Sequence, residues 1–399
     1  MQSLFVGIDV SKDYFCTSGL NGQGDVVFSL TAAADKTGFA EVLHAISSHC
    51  STTDEVMAAM ESSGCYHLNL FSFLSSKGIK TVVVNPLVIA NYGKLSLRKT
   101  KTDRKDALVI ATYLFLHREK ILQCSVSQGY QDLRDVARER EFTGKMIASM
   151  KNDIKRMLQA TFPELERLVN VFSDTMLHVL KTFPSARLVA EATEKDLRQA
   201  FIHPDKRMRL VVKPEKIRDA ALNSVASPSP AKEMLLPGKV ETLLHLQQRL
   251  DELTTMMVRL CKAMAEEDLR IITSIAGINT KTAAPFLAEL GDRTNYASYK
   301  KVIAFMGIDP SIHQSGKFQG TSKISKRGNR HLRRIIYLMT FCAIRMEGPF
   351  KRYFTKRKKE GLPFRKALLA TAHKLVRVIF AMLQKRTYFV ADQILNRTA

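Results

Sequence analysis

The sequence predicts a mixed α/β unit at the amino terminus, followed by a mainly helical remainder. Short β-branched and aromatic runs at 4–10, 14–20 and 24–30 are separated by Gly and Asn turn residues, as is typical of three consecutive strands. Beyond about residue 128, apolar residues recur every three to four positions instead. This longer period indicates helices.

The segment after the third strand alternates between helix and strand patterns. An amphipathic stretch precedes DEVMAAME (54–61), a second helix is predicted near 66–77, and KTVVVN (80–85) is a strand ended by Pro86. Three antiparallel strands followed by alternating helices and parallel strands are compatible with a ribonuclease-H-like sheet and exclude an all-helical or all-β domain. We predict this α/β domain over residues 1–125.

Long helices are predicted in two regions within residues 126–268. The first region, 128–182, is predicted to form one or two long helices, and the second long helix lies in 239–268. The stretch SVASPSPAKEMLLPG near 224–238 clusters Ser, Pro and Gly as a connector does. The two helices could pair as an antiparallel hairpin or mediate dimerisation as a coiled coil. Alternatively, their apolar stripes could simply pack against the body of the protein.

Positive charge is concentrated in one part of the chain. The whole protein carries a formal net charge of +23, with 45% apolar residues, which is typical of a folded chain that binds a polyanion. Residues 1–125 have 12 basic and 11 acidic side chains, whereas residues 300–359 have 16 basic and 2 acidic ones. We therefore predict nucleic acid binding by residues 300–359, the alternative being a solvated basic face.

Cysteine usage and the amino terminus favour a cytoplasmic protein without a membrane partner. The six cysteines form no C-x-x-C pair, which argues against a zinc site and a disulfide framework. The start, MQSLFVGIDVSKDYF, lacks the features of a secretory signal, and no run of about 18 apolar residues occurs.

Four acids are predicted to converge in the α/β domain. Asp9 ends the first strand, Glu61 follows the fourth, and Asp103 and Asp106 share one face in the first turn of a later helix. Carboxylates brought together repel one another unless cations lie between them, so the pattern predicts two divalent ions, Mg²⁺ or Mn²⁺, for phosphoryl transfer. Taken singly, each acid has a plainer explanation as a helix cap or a turn residue.

Serines recur among cations in GIDPSIHQSGKFQGTSKISKRGNRHLRRIIYLMTFCAIR (307–345). A serine in an open, glycine-containing loop would meet a phosphate whose charge is already neutralised, as a nucleophilic hydroxyl requires. From the residues alone, an ordinary loop is the more common explanation. The predicted nucleic-acid-binding residues are Lys317, Lys323, Lys326, Arg327, Arg330, Arg333 and Arg334.

A glycine turn precedes this segment in SIAGINTKTAAPFLAELGD (274–292). Backbone N–H groups exposed at the start of the following helix would form a phosphate cradle. An ordinary packing element between two helices is the alternative.

These motifs together resemble one family. The chain resembles the D-E-D-D transposases of bacterial insertion sequences, the family numbered one hundred and ten, which includes the pilin-gene invertases. The resemblance is carried by GIDVSK, MESSG, the KTDRKDA helix start, SIAGINTKTAAPFLAELGD, the serine-rich basic run and GPFKRYFTKRKKEGLPFRKALLATAHKLVRVIFAML. The resemblance covers residues 1–120 and 270–385. The stretch 185–238 is longer than in compact relatives.

The resemblance implies a Holliday-junction-resolvase-like domain, a coiled-coil segment and a carboxyl-terminal transposase domain at 269–399. By motif match, Asp9, Glu61, Asp103 and Asp106 are the metal-binding tetrad. Ser315 corresponds best to the family's serine nucleophile, with Ser322 and Ser325 as fallback positions.

The implied partners are double-stranded DNA at the element ends and target, a structured noncoding guide RNA, and further copies of the chain in a homodimer or homotetramer. A bacterial cytoplasmic protein associated with the nucleoid is expected. The leading hypothesis is a recombinase. A junction-resolving nuclease that hydrolyses DNA with two metal ions and a non-catalytic binding module are the alternatives.

Overall fold

The computed structural model divides the chain into two compact units. The first comprises residues 1–127 with 292–295, and the second comprises 128–291 with 296–399. The structure describes residues 3–50, 52–61, 64, 66–84, 86–93, 102–121, 128–202, 212–311, 314–315, 318–319 and 323–391.

The first unit is built on a five-stranded mixed sheet. Its strands follow the order β3-β2-β1-β4-β5, with antiparallel pairing among the first three and parallel pairing of β4 with both β1 and β5. The predicted mixed α/β class is confirmed. The strands are β1 (Leu4–Val10), β2 (Tyr14–Leu20), β3 (Val26–Ala33), β4 (Val56–Glu61) and β5 (Lys80–Val84).

Helices cover both faces of this sheet. They are α1 (Lys36–Ser47), α2 (His67–Ser76), α3 (Pro86–Gly93) and α4 (Asp103–Ile121). Val6 and Ile8 pack in the cluster that contains residues of α1 and α2, whereas Phe5 packs with Ile110 of α4. Because side chains alternate along a strand, the odd-numbered positions of β1 face α4.

The second unit is mainly helical and begins with an antiparallel helix pair. Helix α5 (Gln128–Thr161) packs along a second long helix, Pro230–Thr273. Arg140 donates to Thr254 Oγ1 at 2.7 Å, and near the other end Asp153 pairs with Lys239. Of the arrangements left open by the sequence, the structure therefore has the hairpin within one chain.

Among the described residues between these two long helices, the chain forms five short ones. They share a core that includes Phe162, Leu177 and Leu236, each almost fully buried. The helices are α6 (Leu165–Leu168), α7 (Asp174–Thr182), α8 (Ala186–Glu191), α9 (Glu194–Ala200) and α10 (Pro214–Leu222), and the second long helix is α11 (Pro230–Thr273).

The predicted connector at 224–238 is too long. Helix α11 already begins at Pro230, so only the first part of that segment is irregular. A proline at the first helical position loses no hydrogen bond, and the Ser-Pro cluster therefore marks a helix start. Pro237 and Gly238 lie inside the helix, where buried Leu236 and Val240 anchor it and offset their low helix propensity.

The remaining helices surround the largest hydrophobic cluster of the second unit, which also receives Leu133 from α5 and Met257 from α11. They are α12 (Thr280–Leu290), α13 (Tyr299–Met306), α14 (Arg330–Ala343), α15 (Pro349–Lys359) and α16 (Phe364–Lys385). Between α13 and α14, the residues that the structure describes include four two-residue strands: β6 (Pro310–Ser311), β7 (Gln314–Ser315), β8 (Phe318–Gln319) and β9 (Lys323–Ile324).

Helix α16 is long and apolar enough to cross a membrane by length and composition alone. Half of its apolar window is buried inside the protein, with Leu375, Val376 and Ile379 in the hydrophobic cluster. Its exposed face carries Arg377. This pattern is that of a core helix.

Candidate functional site

Three carboxylates meet at one end of the sheet. Asp9 from β1 and Asp103 and Asp106 from α4 each offer an oxygen, and these three oxygens all lie within 4.8 Å of one another. All three residues are partly buried. Asp9 is the next-to-last residue of β1, and the two helix acids lie three positions apart in the first turn, so they share a face.

Gly7 allows α4 to approach β1 closely enough for this meeting. A Cβ atom at Gly7 would lie 2.7 Å from Ala111 Cα and closer still to the Ala107 carbonyl oxygen and the Ala111 nitrogen. Gly7 and Asp9 are on the same face of the strand, one pleat apart. The close contact at Gly7 therefore sets how near the start of α4 comes to Asp9.

The first turn of α4 is also held by local hydrogen bonds. Thr102 precedes the helix, where its carbonyl accepts from Asp106 N at 3.0 Å and its Oγ1 accepts from Lys105 N at 3.4 Å. Acids in the first helical turn are favoured by the helix dipole, which partly offsets their mutual repulsion.

Glu61 lies beside this group but outside it. It ends β4, the parallel neighbour of β1, and the register pairs Ile8 with Met60, which puts Glu61 level with Asp9. Met57 and Ala59 belong to the cluster on the α4 side, so Glu61 also projects from that face. Its carboxylate is not among the oxygens within 4.8 Å of one another. The structure thus brings three of the four predicted acids together.

Tyr14 is a site residue that sequence reasoning missed. Its hydroxyl donates to Asp103 Oδ2 at 2.6 Å, and this hydrogen bond, together with the negative charge of Asp103, raises the pKa of Tyr14. Tyr14 begins β2, directly across the turn from the end of β1. A predicted β1–β2 hairpin register would have indicated a side chain near Asp9 at this position.

This donor set fits a divalent metal ion. Hard cations such as Mg²⁺ and Mn²⁺ take carboxylate oxygens as ligands, and three such oxygens converge here with a fourth acid on the neighbouring strand. A cation between them would relieve the repulsion of like charges. The first unit therefore contains an acidic cluster suited to divalent metal use.

In the second unit, Ser315 lies in β7, which pairs with β8 in the register Ser315 with Phe318. Strands β6 and β9 form a second antiparallel pair. Two short strand pairs thus occur where an open loop was expected. Lys317 and Ser322 lie outside the described residues.

A backbone framework holds the five residues Ser325 to Asn329, called here the SKRGN segment. Ser325 N donates to Asp309 O at 2.9 Å, Lys326 N to Gly307 O at 3.0 Å and Asn329 N to Phe305 O at 2.7 Å. Ser325 Oγ also donates to Asp309 Oδ1 at 2.6 Å. The fallback serine is therefore engaged in fixing this segment.

Lys326 adopts a left-handed conformation, with φ at +54°. This region is unfavourable for a side chain with a Cβ atom, so the surrounding hydrogen bonds must hold it there. The Lys326 side chain is exposed. The fold thus accepts backbone strain at a residue that presents a cation to solvent.

The predicted nucleic-acid-binding residues differ in their surroundings. Lys323, Lys326, Arg327 and Arg330 are exposed, and Arg334 is half exposed at 3.9 Å from Glu141. Arg333 instead donates from a guanidinium nitrogen to Met306 O at 2.8 Å, at the end of α13. Arg333 therefore has a structural role in joining α13 and α14.

Glu289 connects three helices beneath the SKRGN segment. It is 1% exposed and accepts two hydrogen bonds from Arg138, at 2.7 and 3.0 Å. Its Oε2 also accepts from Asn329 Nδ2 at 2.6 Å. Asn329 Oδ1 in turn caps α14 by accepting from His331 N and Leu332 N. A buried carboxylate on α12 thus fixes the start of the basic helix.

A second carboxylate, Glu141 on α5, supports the same helix. Glu141 Oε2 lies 2.8 Å from His331 Nδ1, and Lys145 and Arg334 lie nearby. Burial raises the pKa of Glu141, but the hydrogen bonds from His331 and Lys145 and the Arg334 charge outweigh it and lower the pKa to about 2. Glu141 therefore stays ionised at neutral pH.

The glycine turn between α11 and α12 packs tightly. Gly277 has φ at +87°, and a Cβ there would lie 2.7 Å from Cys342 O of α14. Asn279 and Thr282 form a reciprocal capping box that uses N–H groups at the start of α12. These contacts favour the packing alternative over the phosphate cradle.

Comparison with known families identifies two matching profiles. A DEDD transposase profile of the IS110 type matches residues 6–163, which include the acidic cluster. A profile described as "Transposase IS116/IS110/IS902 family" matches residues 269–355, which include Ser315 and the SKRGN segment. Together the two profiles span more than half of the chain.

Similar proteins match over nearly the whole chain. The "Insertion element IS116 uncharacterized 44.8 kDa protein" of Streptomyces clavuligerus is 26% identical, covering 99% of this chain and 98% of its own length. The "Transposase for insertion sequence element IS1111A" of Coxiella burnetii is 22% identical, over 96% and 90%. The "Pilin gene-inverting protein" of Moraxella lacunata is 20% identical, over 98% of both chains. The chain therefore belongs to the IS110/IS116 family of transposases, enzymes of DNA transposition and recombination.

Proposed function

We propose that this transposase cuts and exchanges DNA strands with Ser315 as the nucleophile and with Asp9, Glu61, Asp103 and Asp106 as metal-binding residues. The meeting of three carboxylates within 4.8 Å in the first unit is the observation that carries the proposal. The matches of the two family profiles support it, since one includes all four acids and the other includes Ser315.

In the proposed reaction, Ser315 Oγ forms a bond to phosphorus while the bond from phosphorus to a deoxyribose oxygen breaks. The serine proton is released, and the departing oxygen takes up a proton. A strand hydroxyl then attacks the phosphoserine ester and reverses these changes, so one phosphodiester is exchanged for another. Bound Mg²⁺ or Mn²⁺ would stabilise negative charge on phosphate oxygens.

The charge distribution supports DNA as the substrate. Four of the predicted contact residues, Lys323, Lys326, Arg327 and Arg330, are exposed around the start of α14. Cations on a fixed backbone hold phosphates in register without reading the sequence. The element ends and target DNA are thus the proposed partners of this region.

The resemblance extends the proposal further. A ribonuclease-H-like first domain at 1–125 is supported by the strand order β3-β2-β1-β4-β5. A long-helix region at 126–268 and a transposase domain at 269–399 complete the proposed organisation. We also propose a structured noncoding guide RNA, assembly as a homodimer or homotetramer, and action in the bacterial cytoplasm near the nucleoid.

Covalent trapping on DNA tests the nucleophile. The protein, incubated with its element ends and Mg²⁺, is expected to form a covalent adduct that Ser315→Ala abolishes. Ser325→Ala is the matched control, because Ser325 Oγ is engaged with Asp309 in the fold. An adduct that persists in Ser315→Ala and disappears in a folded Ser325→Ala chain would transfer the role to Ser325.

The same experiment distinguishes the hydrolytic alternative. A junction-resolving nuclease would use the acidic cluster with water and leave nicked DNA that is fully phenol-extractable, with no adduct. A non-catalytic binding module would retain recombination in Asp9→Asn. The proposed recombinase predicts that Asp9→Asn loses strand exchange while retaining DNA binding.

A further inference from the structure

The carboxyl-terminal helices carry a charge excess that the Ser315 region does not account for. Residues 348–391 contain 12 Lys and Arg side chains and a single acid, Glu360. Most of these cations lie on α15 and α16. The excess is therefore not confined to the segment around β6–β9 and α14.

Two cations converge on Tyr353 of α15. Arg357 lies with its guanidinium carbon 5.0 Å from the centre of the Tyr353 ring and donates two hydrogen bonds to the tyrosine oxygen, at 3.0 and 2.9 Å. Lys374 Nζ of α16 lies 4.6 Å from the centre of the same ring. The ring thus orients two positive charges from different helices toward one place.

Two further cations extend this group. Arg377, one turn after Lys374 on α16, lies with its guanidinium carbon 5.9 Å from the centre of the Tyr299 ring. Lys356 on α15 is exposed and also lines a groove of about 650 Å³ along that helix. The α15–α16 cation cluster is defined here as Lys356, Arg357, Lys374 and Arg377.

This cluster has too few negative charges of its own. Arg357 pairs with Glu360 at 2.7 Å. Within the described part of the chain, Lys356, Lys374 and Arg377 have no carboxylate oxygen within 4.0 Å. Partial burial, followed by the charges of Arg377, Lys356 and Arg357, lowers the pKa of Lys374. Bringing these cations together therefore costs stability, which a bound anion would restore.

We propose that the α15–α16 cation cluster is a second DNA-binding site, which binds a backbone phosphate in addition to the contacts proposed for the SKRGN segment. Cations fixed on aromatic rings suit phosphate oxygens, because their direction is set before binding. The groove beside Lys356 is also lined by Lys351, Arg352 and Lys359 and by the two acids Glu347 and Glu360, so its lining keeps a net positive charge toward neighbouring phosphates. The inference rests on the proposed action on DNA and adds a site to it.

Salt dependence of DNA binding tests the site. Duplex DNA is titrated with the full chain and with Lys374→Met, whose unbranched side chain is one atom shorter and carries no charge. Each lost phosphate contact lowers the slope of log affinity against log salt by about 0.9. The ratio of the wild-type DNA affinity to that of Lys374→Met is therefore expected to fall about 3.5-fold between roughly 50 and 200 mM salt.

Lys385→Met is the matched control, since it removes the same charge from an exposed position of α16 outside the cluster. It should leave the slope within about 0.2 of wild type. If the slope for Lys374→Met stays as close to the wild-type slope as that for Lys385→Met, the proposed site is wrong. If Lys374→Met fails to fold, Arg377→Met, at an exposed position, replaces it with the same expected change in slope.

Two further readouts separate the possible failures. Without DNA, Lys374→Met should melt at or above the wild-type temperature, because a repelled charge is removed. A change in slope with an RNA hairpin but not with DNA would overturn the assignment to DNA. Absence of DNA binding by the wild-type chain would refute the proposed function itself, whereas normal binding with equal slopes refutes only the second site.

Discussion

Replacing Gly7 by alanine should separate α4 from β1 and open the acidic cluster without touching an acid. The added Cβ would lie 2.7 Å from Ala111 Cα, whereas carbon atoms in contact prefer about 3.5 to 4.0 Å. Helix α4 must therefore move by about 1 Å. Overpacking of this kind costs about 1–3 kcal/mol of unfolding free energy.

The displacement carries Asp103 and Asp106 away from Asp9. A misplacement of about 1 Å at a catalytic centre costs about 100-fold in rate. We expect Gly7→Ala to slow strand exchange by about that factor at a temperature where the chain is folded, and to weaken Mn²⁺ binding. Urea unfolding, Mn²⁺ titration and the rate of strand exchange with Mg²⁺ measure the three effects.

Gly22→Ala is the control in the same unit. Apart from its two chain neighbours, the described residues place one atom within 4 Å of the added Cβ, which is Ser3 O at 3.9 Å. Stability and rate should stay near wild type in this variant. If Gly7→Ala and Gly22→Ala behave alike, the close approach at Gly7 does not position the acids and the reasoning is wrong.

Three other perturbations have definite outcomes. Glu289→Ala leaves Asn329 and Arg138 without their acceptor and should lower the free energy of unfolding by about 3 kcal/mol. This is the low end for a broken buried pair, because Arg138 is 43% exposed. A decrease below about 1 kcal/mol in urea unfolding would contradict the role of Glu289. Tyr14→Phe removes the donor that orients Asp103 and should weaken Mn²⁺ binding about 10-fold, while ultraviolet titration should locate the wild-type phenol above its usual pKa of 10.0. Glu141 has a pKa of about 2 in the folded chain against an ordinary 4.5, so its contribution to stability is present above pH 4.5 and lost as pH falls toward 2. In Glu141→Gln, the free energy of unfolding should therefore depend less on pH between 4.5 and 2. An unchanged pH dependence would refute this.

The elements of the first unit could be predicted because their patterns are local. Strands β1 and β2 have the predicted bounds, and the first turn of α4 carries Asp103 and Asp106 as expected. Their meeting with Asp9 depends on a contact between residues about a hundred positions apart, at Gly7. Glycine in a strand indicates a close approach in general, but the approaching element is not visible in the sequence.

Contacts between distant residues explain what the sequence did not predict. Tyr14 contacts Asp103 only because β1, β2 and α4 assemble, and Arg333 joins α13 and α14 through a backbone carbonyl. Arg333 and Arg330 look alike in the sequence as members of one basic run. Their different roles follow from the helix face, which periodicity predicts, and from the identity of the neighbour, which it does not.

The two ends of the short-helix segment between α5 and α11 are adjacent in the fold. Ser227 N donates to Ala160 O at 3.1 Å, so the chain leaves and rejoins the long helix pair at nearly one point. Lengthening or shortening a segment whose ends already touch costs little closure entropy and shifts neither long helix. Related chains could therefore gain or lose whole helices here during evolution while the packing of α5 against α11 stays the same.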